Sequence, residues 1–282
     1  MRRWKIHIVL LLLGIVHLSC IDQIDLDLDS GKSNIVVFGW ITNEDIAYEV
    51  KVTRSNGYSD QSGYPAISGA EVFVQDQLSN RYDFTEEGTT GRYLSDPSSF
   101  IGMPGSVYQL TIIHDQNTYV SSLEEMPPLG VAEDAFVNFI ADPADFKIDE
   151  DDQNFFVSAF VNDDVNTDNY YRWRVFVNDE FRNQPGELVL FDDQFTNGNK
   201  FKFDATNVLF TESDAAYFQH MSLSKGAFEY YNDIKAQTSN STLSPRTQPG
   251  IILGNMSNQD DPDELILGYF GASEVSIVNT SN

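Results

Sequence analysis

Ile35-Val36-Val37-Phe38-Gly39-Trp40-Ile41 is a continuous apolar run, rich in β-branched and aromatic residues, which is typical of a buried β-strand. Apolar and polar residues then alternate in residues 48–53 and 69–74, as in strands with one buried face. Turn sequences such as Asn56-Gly57 separate these runs. Closely spaced strands without a helical period predict an antiparallel β-sandwich for residues 34–126.

Two prolines interrupt this strand pattern in Met126-Pro127-Pro128-Leu129-Gly130. Neither proline can donate a backbone N–H to a strand ladder, so we place a domain boundary there. Residues 131–282 then form a second, β-rich domain. Its strands are predicted at residues 135–141, 155–161, 170–177, 251–253, 265–269 and 275–278.

One helix is predicted in the second domain, at about residues 224–237. Ser224 is a suitable N-cap, and Phe228, Tyr231 and Ile234 recur every third residue to form one apolar stripe. The predicted fold is therefore mainly β: an N-terminal antiparallel sandwich followed by a β-rich (α+β) domain with one packed helix.

Three segments of the first domain resemble prealbumin-like or carboxypeptidase-regulatory sandwich domains. They are residues 67–76, Gly91-Arg92-Tyr93 and residues 108–112. The resemblance implies an Ig-like or prealbumin-like sandwich, which is a scaffold without catalysis of its own.

Basic residues followed by an apolar run form a secretory signal at the N-terminus. Arg2, Arg3 and Lys5 precede the run at residues 6–16. The run is about half the ~20 residues that a membrane-spanning helix needs. We therefore predict that residues 1–19 are a signal peptide that is cleaved off.

Ser19-Cys20 resembles the end of the lipobox of bacterial lipoproteins, although His17 stands where that motif usually has leucine. The resemblance implies a fatty acid such as palmitate on Cys20. The alternative is an ordinary signal peptide followed by an incidental cysteine. Residues 20–33 alternate aspartate with aliphatic residues and predict an acidic, extended lipoprotein tether. They also resemble a diluted surface-export signal of Bacteroidota lipoproteins, so we expect the protein to face the cell exterior.

The chain is strongly acidic, with 43 acidic and 17 basic residues and a formal net charge of −26. Cleavage of residues 1–19 removes three basic residues and no acidic one, which takes the net charge to −29. Such a chain is repelled by nucleic acid and by anionic lipid head groups. With Cys20 acylated, no thiol remains for a disulfide or a thiolate metal site.

Catalytic motifs are nearly absent from the sequence. It contains no nucleophile elbow, no His-Glu-x-x-His and no dinucleotide fingerprint. His114 and His220 are the only histidines after cleavage, and we predict that both are structural. Paired carboxylates could hydrolyse glycosidic bonds, but the abundance of acids does not show that two face each other. No catalytic residue is predicted.

Asp164, Asn166 and Asp168 match the opening Asp-x-Asn-x-Asp of a calcium loop. Asn169 stands where that loop has glycine, and Val175 stands where it has glutamate. The competing interpretation is a solvated hairpin turn. These three residues are a weak candidate site for calcium, and no other metal site is predicted.

The aromatic residues Trp40 and Trp173 lie in strand-patterned runs, which predicts that they are core residues rather than a ligand-stacking platform. Alternation along residues 170–174 places Tyr171 and Trp173 on one face of a strand and two arginines on the other. We expect Arg172 and Arg174 to pair with the acidic loops at residues 149–152 and 163–164, or with a partner.

Seven motifs are spread over both halves of the chain: Phe38-Gly39-Trp40-Ile41-Thr42-Asn43, Ser68-Gly69-Ala70, Asn169-Tyr170-Tyr171-Arg172-Trp173, Leu223-Ser224, Phe228-Glu229-Tyr230-Tyr231, Gly254-Asn255-Met256 and Leu267-Gly268-Tyr269-Phe270-Gly271-Ala272-Ser273. Together they are similar to a family of Bacteroidota outer-membrane lipoproteins catalogued as domain of unknown function 4249. Members are often encoded beside TonB-dependent transporters of the SusC type, which implies a transporter partner for this chain. No catalytic residues are established for the family.

The leading functional hypothesis is a non-catalytic, surface-exposed outer-membrane lipoprotein that helps a TonB-dependent, SusC-type β-barrel transporter to capture its substrate. A structural or assembly subunit of an outer-membrane machine is the alternative. A carboxylate-based hydrolase is the third hypothesis. The sequence identifies neither the ligand nor the transporter, and it leaves open which membrane leaflet carries the protein.

Overall fold

The computed structural model describes residues 33–56, 63–140, 154–162, 167–184, 186–194, 196, 198–238 and 250–281. The predicted signal peptide, Cys20 and nearly all of the predicted tether lie outside these residues. In chain order the strands are β1 (Ile35–Thr42), β2 (Glu49–Arg54), β3 (Glu71–Asp76), β4 (Arg81–Glu86), β5 (Arg92–Ser95), β6 (Val107–His114), β7 (Asn117–Ser121), β8 (Glu124–Glu125), β9 (Val131–Phe139), β10 (Phe155–Asn162), β11 (Tyr170–Val177), β12 (Glu180–Phe181), β13 (Val189–Asp192), β14 (Phe201–Asp204), β15 (Ala216–Leu223), β16 (Met256–Asn258), β17 (Ile266–Ser273) and β18 (Val275–Asn279).

The first sheet has ten strands in the order β16-β7-β6-β3-β4-β5-β2-β1-β17, with β8 beside β6. Its neighbouring strands are antiparallel, except that β17 runs parallel to β1 with Ile35 opposite Ile266 and Thr42 opposite Ser273. The mainly β class is confirmed. Residues 126–130 contain no strand, and strands from both sides of them contribute to this sheet.

The first sheet curls until its two edge strands meet. Asn255, directly before β16, closes the gap with its side-chain amide: its Oδ1 accepts the N–H of Phe270 at 2.9 Å, and its Nδ2 donates to the carbonyl of Phe270 at 2.8 Å. The sheet surrounds an apolar core in which Val37, Val74 and Leu110 are fully buried. Burial of such side chains is the main stabilising term of the fold.

Two smaller sheets are built from later strands, in the orders β14-β10-β9 and β12-β11-β15-β18, with β13 also paired to β11. They pack around a second apolar core. Trp173 is 1% exposed in this core and stacks on Phe218 with ring centres 4.1 Å apart. The predicted core position of Trp173 is confirmed.

Helix α1 (Lys225–Thr238) is the one helix of the part of the chain that the structure describes. Ser224 is its N-cap, because the Ser224 Oγ accepts the N–H of Ala227 at 3.1 Å. Tyr231 is buried, and Phe228 and Ile234 pack beside it, so the predicted stripe is confirmed. Together with Leu190, Leu223 and Tyr269, these residues form a third core that joins the first sheet to the β11 sheet.

Two strand predictions differ from the structure. Residues 251–253 were expected to form a strand but are irregular, and Ile251 and Leu253 are 66% and 67% exposed. In addition, the five strands from β12 to β16 were not predicted. β15 interleaves polar residues with apolar ones, and its buried polar side chains hide the apolar pattern of a central strand.

No helix of the described residues is both long and apolar enough to cross a membrane.

Candidate functional site

A cleft of about 650 Å³ lies where the first sheet, the β11 sheet and helix α1 meet. This volume falls within the range of small-molecule binding sites. Trp40 lines it from β1, Arg172 and Arg174 line it from β11, and Tyr231 lines it from α1. Three elements that are distant in sequence therefore build one wall each.

The β1 wall follows from strand alternation. Val37 and Ile41 point into the first core, so Phe38 and Trp40 point to the other side, into the cleft. Phe38 is 46% exposed and therefore lies near the opening. Trp40 lies deeper, where its Nε1–H donates to the Oγ of Ser273 at 2.9 Å. The expectation that Trp40 is purely a core residue is only partly met, since its ring also forms a cleft wall.

The β11 wall follows from the same alternation. Tyr171 and Trp173 are each 1% exposed in the second core, which places Arg172 and Arg174 on the opposite face of β11, as predicted. There the two arginines line the cleft. Arg172 is only 9% exposed. Its guanidinium carbon lies 4.4 Å from the ring centre of Tyr231, a cation–π contact. Its Nε is buried and has no hydrogen-bond partner among the described residues.

Arg174 lies beside Arg172 and is held by neutral groups. Its Nη1 donates to the Oε1 of Gln219 at 2.9 Å, and its guanidinium carbon lies 4.5 Å from the ring centre of Phe181. Burial lowers the pKa of Arg174, and the nearby positive charge of Arg172 lowers it further. The cleft therefore holds two positive charges in a partly dehydrated environment.

Neither arginine has a carboxylate within 4.0 Å among the described residues, whereas Arg81 and Arg92 each have two and Arg182 has one. The acidic loops expected to pair with them lie outside the described residues, so that pairing stays a prediction. No carboxylate among the described residues pairs with Arg172 or Arg174 instead of these loops.

Glu44 is the nearest acidic group of the cleft wall to Arg174, but an amide separates them. The Nε2 of Gln219 donates to both carboxylate oxygens of Glu44 at 3.2 Å, while the Oε1 of Gln219 faces Arg174. The Oγ1 of Thr42 donates to Glu44 as well, at 3.1 Å. Sequence reasoning missed Glu44 and Gln219, because no local pattern signals contacts between β15 and the loop after β1.

A second cavity, of about 510 Å³, lies at the start of α1 and contains the buried carboxyl of Glu124. The Oε1 of Glu124 accepts a hydrogen bond from the Ser224 Oγ at 2.5 Å, and its Oε2 accepts one from the Tyr269 hydroxyl at 3.1 Å. Burial raises the pKa of Glu124 to about 7. Sequence reasoning also missed this group, which connects β8, α1 and β17 through its two hydrogen bonds.

Both histidines have structural positions, as predicted. His220 is fully buried on β15, and its Nδ1 accepts the indole N–H of Trp173 at 3.0 Å. Its Nε2 therefore carries the proton and donates to the carbonyl of Gly130 at 3.0 Å. Burial lowers the pKa of His220 to about 3, which keeps the ring neutral. His114 is the last residue of β6 and lies 3.3 Å from Asp115.

The weak calcium candidate is only partly within the described residues. Asp168 is described and exposed, whereas Asp164 and Asn166 lie outside the described residues. Within the described ranges, no group of three or more His, Cys, Asp or Glu side chains is placed to hold a metal ion. Calcium binding stays a prediction.

The family motif in β17 has a clear structural role beside the cleft. Gly268 has φ +91°, and a Cβ there would come within 1.9 Å of the Val37 carbonyl oxygen. At Gly254 a Cβ would come within 1.4 Å of the carbonyl oxygen of Gly268. These glycines allow β17 to lie against β1 and against the segment before β16.

Comparison with known proteins adds the family and no activity. No curated protein matches the sequence. The family model described as "Domain of unknown function (DUF4249)" matches residues 21–277, which is nearly the whole chain and includes every residue of the cleft. The chain therefore belongs to the DUF4249 family.

Proposed function

We propose that this protein is a non-catalytic, lipid-anchored outer-membrane protein that captures a ligand in the cleft between β1, β11 and α1. In this proposal it passes the ligand to a TonB-dependent, SusC-type β-barrel transporter. The observation that carries the proposal is the cleft itself, with an aromatic wall and two arginines that have no described carboxylate partner. Such a combination of apolar surface and a few oriented polar groups is typical of ligand sites.

The chemistry of the cleft supports binding over catalysis. Its described charged groups are the guanidinium groups of Arg172 and Arg174 and the carboxylates of Glu44 and Glu49. Both carboxylates are held by other side chains, Glu44 by Gln219 and Glu49 by Arg92. Amides and guanidinium groups orient a ligand but do not act as nucleophiles at neutral pH. Both histidines of the predicted mature chain, His114 and His220, lie away from the cleft wall.

The anchor and the location rest on the sequence. The signal sequence, the lipobox-like Ser19-Cys20 and the acidic tether support a lipid-anchored protein on the cell surface. The strong negative charge of the chain holds its body away from anionic head groups.

Co-purification tests the partnership. The tagged lipoprotein is recovered from membranes dissolved in a mild detergent, and we expect a β-barrel transporter to come with it. Cys20→Ser is the matched variant, which we expect to lose incorporated palmitate, to leave the membrane fraction and to recover less transporter. Recovery of the wild-type protein alone under these conditions would argue against the proposal.

Deletion of the gene separates this proposal from the structural alternative. A transport partner is needed only when its substrate is the nutrient, so we expect a growth defect that depends on the nutrient supplied. A membrane-integrity defect on every nutrient would instead support a structural or assembly role.

A further inference from the structure

We infer that the cleft binds a small organic monocarboxylate with an aromatic or aliphatic body, and that Arg172 is the residue that binds the carboxylate. This inference names the ligand class of the proposed capture function and rests on it. It starts from the unusual environment of one side chain.

Arg172 is nine-tenths buried, and its Nε lacks a hydrogen-bond acceptor among the described residues. A buried, unpaired donor costs free energy, and a buried guanidinium is retained mainly where an anion pairs with it. Two aromatic rings, those of Tyr231 and Phe181, lie 4.4 and 5.9 Å from the guanidinium carbon, but they offer no acceptor in line with an N–H. The Nε itself has no exposed surface, so a ligand in the cleft reaches Arg172 through its Nη groups.

The acidic groups of the described cleft wall are already occupied. Glu44 accepts hydrogen bonds from Gln219 and Thr42, and Glu49 is held by Arg92 at 2.8 Å. Glu49 has a 39% exposed side chain and shares Arg92 with Glu87, so Arg92 and water screen its charge. The other charges that face the cleft, those of Arg172, Arg174 and Glu44, leave one positive charge. A monoanion balances this charge, whereas a dianionic phosphate ester would leave an excess negative charge in a dehydrated site.

The planar, forked guanidinium favours a carboxylate in particular. Its parallel N–H groups match the two oxygens of a carboxylate, which gives short, charge-assisted hydrogen bonds. Arg174 lies on the same strand face, two residues along, and its contact with Gln219 uses one Nη only among the described partners. A carboxylate at Arg172 therefore has a second positive group nearby.

The remaining walls select the body of the ligand. Trp40, Phe38, Phe181 and Ile234 supply rings and aliphatic surface around the arginine pair. Aromatic walls bind rings by stacking and bind aliphatic chains by apolar contact. A ligand with one carboxylate and an apolar body satisfies both the guanidinium and the walls. A neutral sugar can stack on the rings but leaves the guanidinium charge unbalanced.

Calorimetry on the detergent-solubilised, full-length lipoprotein tests this inference. The probes are benzoate, 2-naphthoate, indole-3-acetate and decanoate, with 2-naphthamide as the uncharged match and 2-naphthyl phosphate as the dianion. We expect at least one carboxylate to bind, with the amide and the phosphate each at least ~10-fold weaker. Equal affinity for 2-naphthoate and 2-naphthamide, tighter binding of the phosphate, or no binding of any carboxylate would overturn it.

Arg172→Gln identifies the anchoring residue, because glutamine keeps a polar side chain but removes the charge and the fork. We expect affinity for the carboxylate to fall by about 10- to 100-fold. Arg81→Gln is the matched control, since Arg81 lies on the first sheet, paired with Glu71, and its loss should leave affinity unchanged. An unchanged affinity in Arg172→Gln, with its melting temperature intact, would contradict the assignment.

The outcome is independent of the transporter partnership. Arg172→Gln should still co-purify with the β-barrel, because the cleft and the docking surface are separate requirements. Failure of co-purification with normal carboxylate binding would remove the transporter proposal and keep the ligand class. Co-purification without carboxylate binding would keep the transporter proposal and remove the ligand class.

Discussion

The indole ring of Trp40 lies directly against the backbone of Gly271, so that a Cβ at position 271 would come 2.4 Å from its Cη2 atom. Glycine at this position of β17 lets the ring that forms the cleft wall lie flat on the neighbouring strand. The Trp40 N–H then reaches Ser273, two residues further along β17, at 2.9 Å.

Gly271→Ala is therefore expected to displace the Trp40 ring into the cleft and to weaken its bond to Ser273. Overpacking of this kind costs about 1–3 kcal/mol, which urea unfolding would detect. Gly250→Ala is the control, because a Cβ at position 250 meets its nearest atom at 4.0 Å. Equal stability of the two variants would show that the Trp40 ring moves without cost.

Asn255→Ala is expected to open the edge of the first sheet. The Asn255 amide satisfies both the N–H and the carbonyl of Phe270, and its removal leaves two backbone groups without these partners. We expect a loss of about 2–3 kcal/mol in the free energy of unfolding. Asn255→Asp should restore only the bond to the Phe270 N–H and recover part of that loss. Ser257→Ala, at an exposed position of β16, is the neutral control.

Local sequence patterns were enough to predict the elements in which one periodicity of apolar residues continues from end to end. β11 was predicted with its observed bounds, and both its core face and its arginine face were correct, because alternation continues from Tyr170 to Val177. α1 was predicted within one residue at each end, because Ser224 and the apolar stripe mark its start and its buried face.

β15 could not be predicted, because its polar residues depend on distant partners. Gln219, His220 and Ser222 are buried, and their side chains bond to Glu44, to the carbonyl of Gly130 and to the carbonyl of Pro127. From its sequence alone, which does not show those partners, β15 resembles a polar loop. The parallel pairing of β1 with β17 has the same cause, since it joins segments from opposite ends of the chain.

The candidate site was predicted in part. The arginine pair was recognised from alternation, but the cleft needs walls from β1 and α1 as well, and no local signal joins those elements to β11. The sequence predicted acidic partners for Arg172, which stays a prediction, and gave no sign of the Tyr231 ring that lies 4.4 Å from its guanidinium carbon.

Glu124 is expected to make stability fall as the pH rises. Its pKa is raised from 4.5 to about 7 on folding, so its stabilising contribution is complete below pH 4.5 and is lost as the pH rises through 7. The full contribution is about 3 kcal/mol at most. Glu124→Gln removes this dependence, so unfolding free energies measured from pH 4.5 to 8.5 should show the wild type losing stability relative to the variant. Parallel curves for the two proteins would contradict the assignment.

His220 is expected to make stability fall as the pH falls. Its pKa is lowered from 6.5 to about 3, so its contribution is complete above pH 6.5 and is lost as the pH falls through 3. The contribution is on the order of 5 kcal/mol. His220→Gln should be less stable at pH 7, because the bonds to Trp173 and Gly130 are disturbed, but its stability should depend less on acid. His114→Gln, at the end of β6, is the control, because it removes an imidazole and leaves the bonds to Trp173 and Gly130 in place.

Arg172→Met tests whether the buried charge in the cleft lowers the free energy of unfolding of the protein. Replacing a buried charge that has no described carboxylate partner with an apolar side chain of similar length is expected to raise the free energy of unfolding by about 1–2 kcal/mol. Thermal and urea unfolding without added ligand would measure the gain. Arg182→Met is the matched comparison, because Arg182 has Glu187 as a partner and its loss leaves that carboxylate unpaired, which should destabilise the protein. If Arg172→Met proved as destabilising as Arg182→Met, the guanidinium would be a structural group of the third core. The inference that it binds an anion would then lose its support.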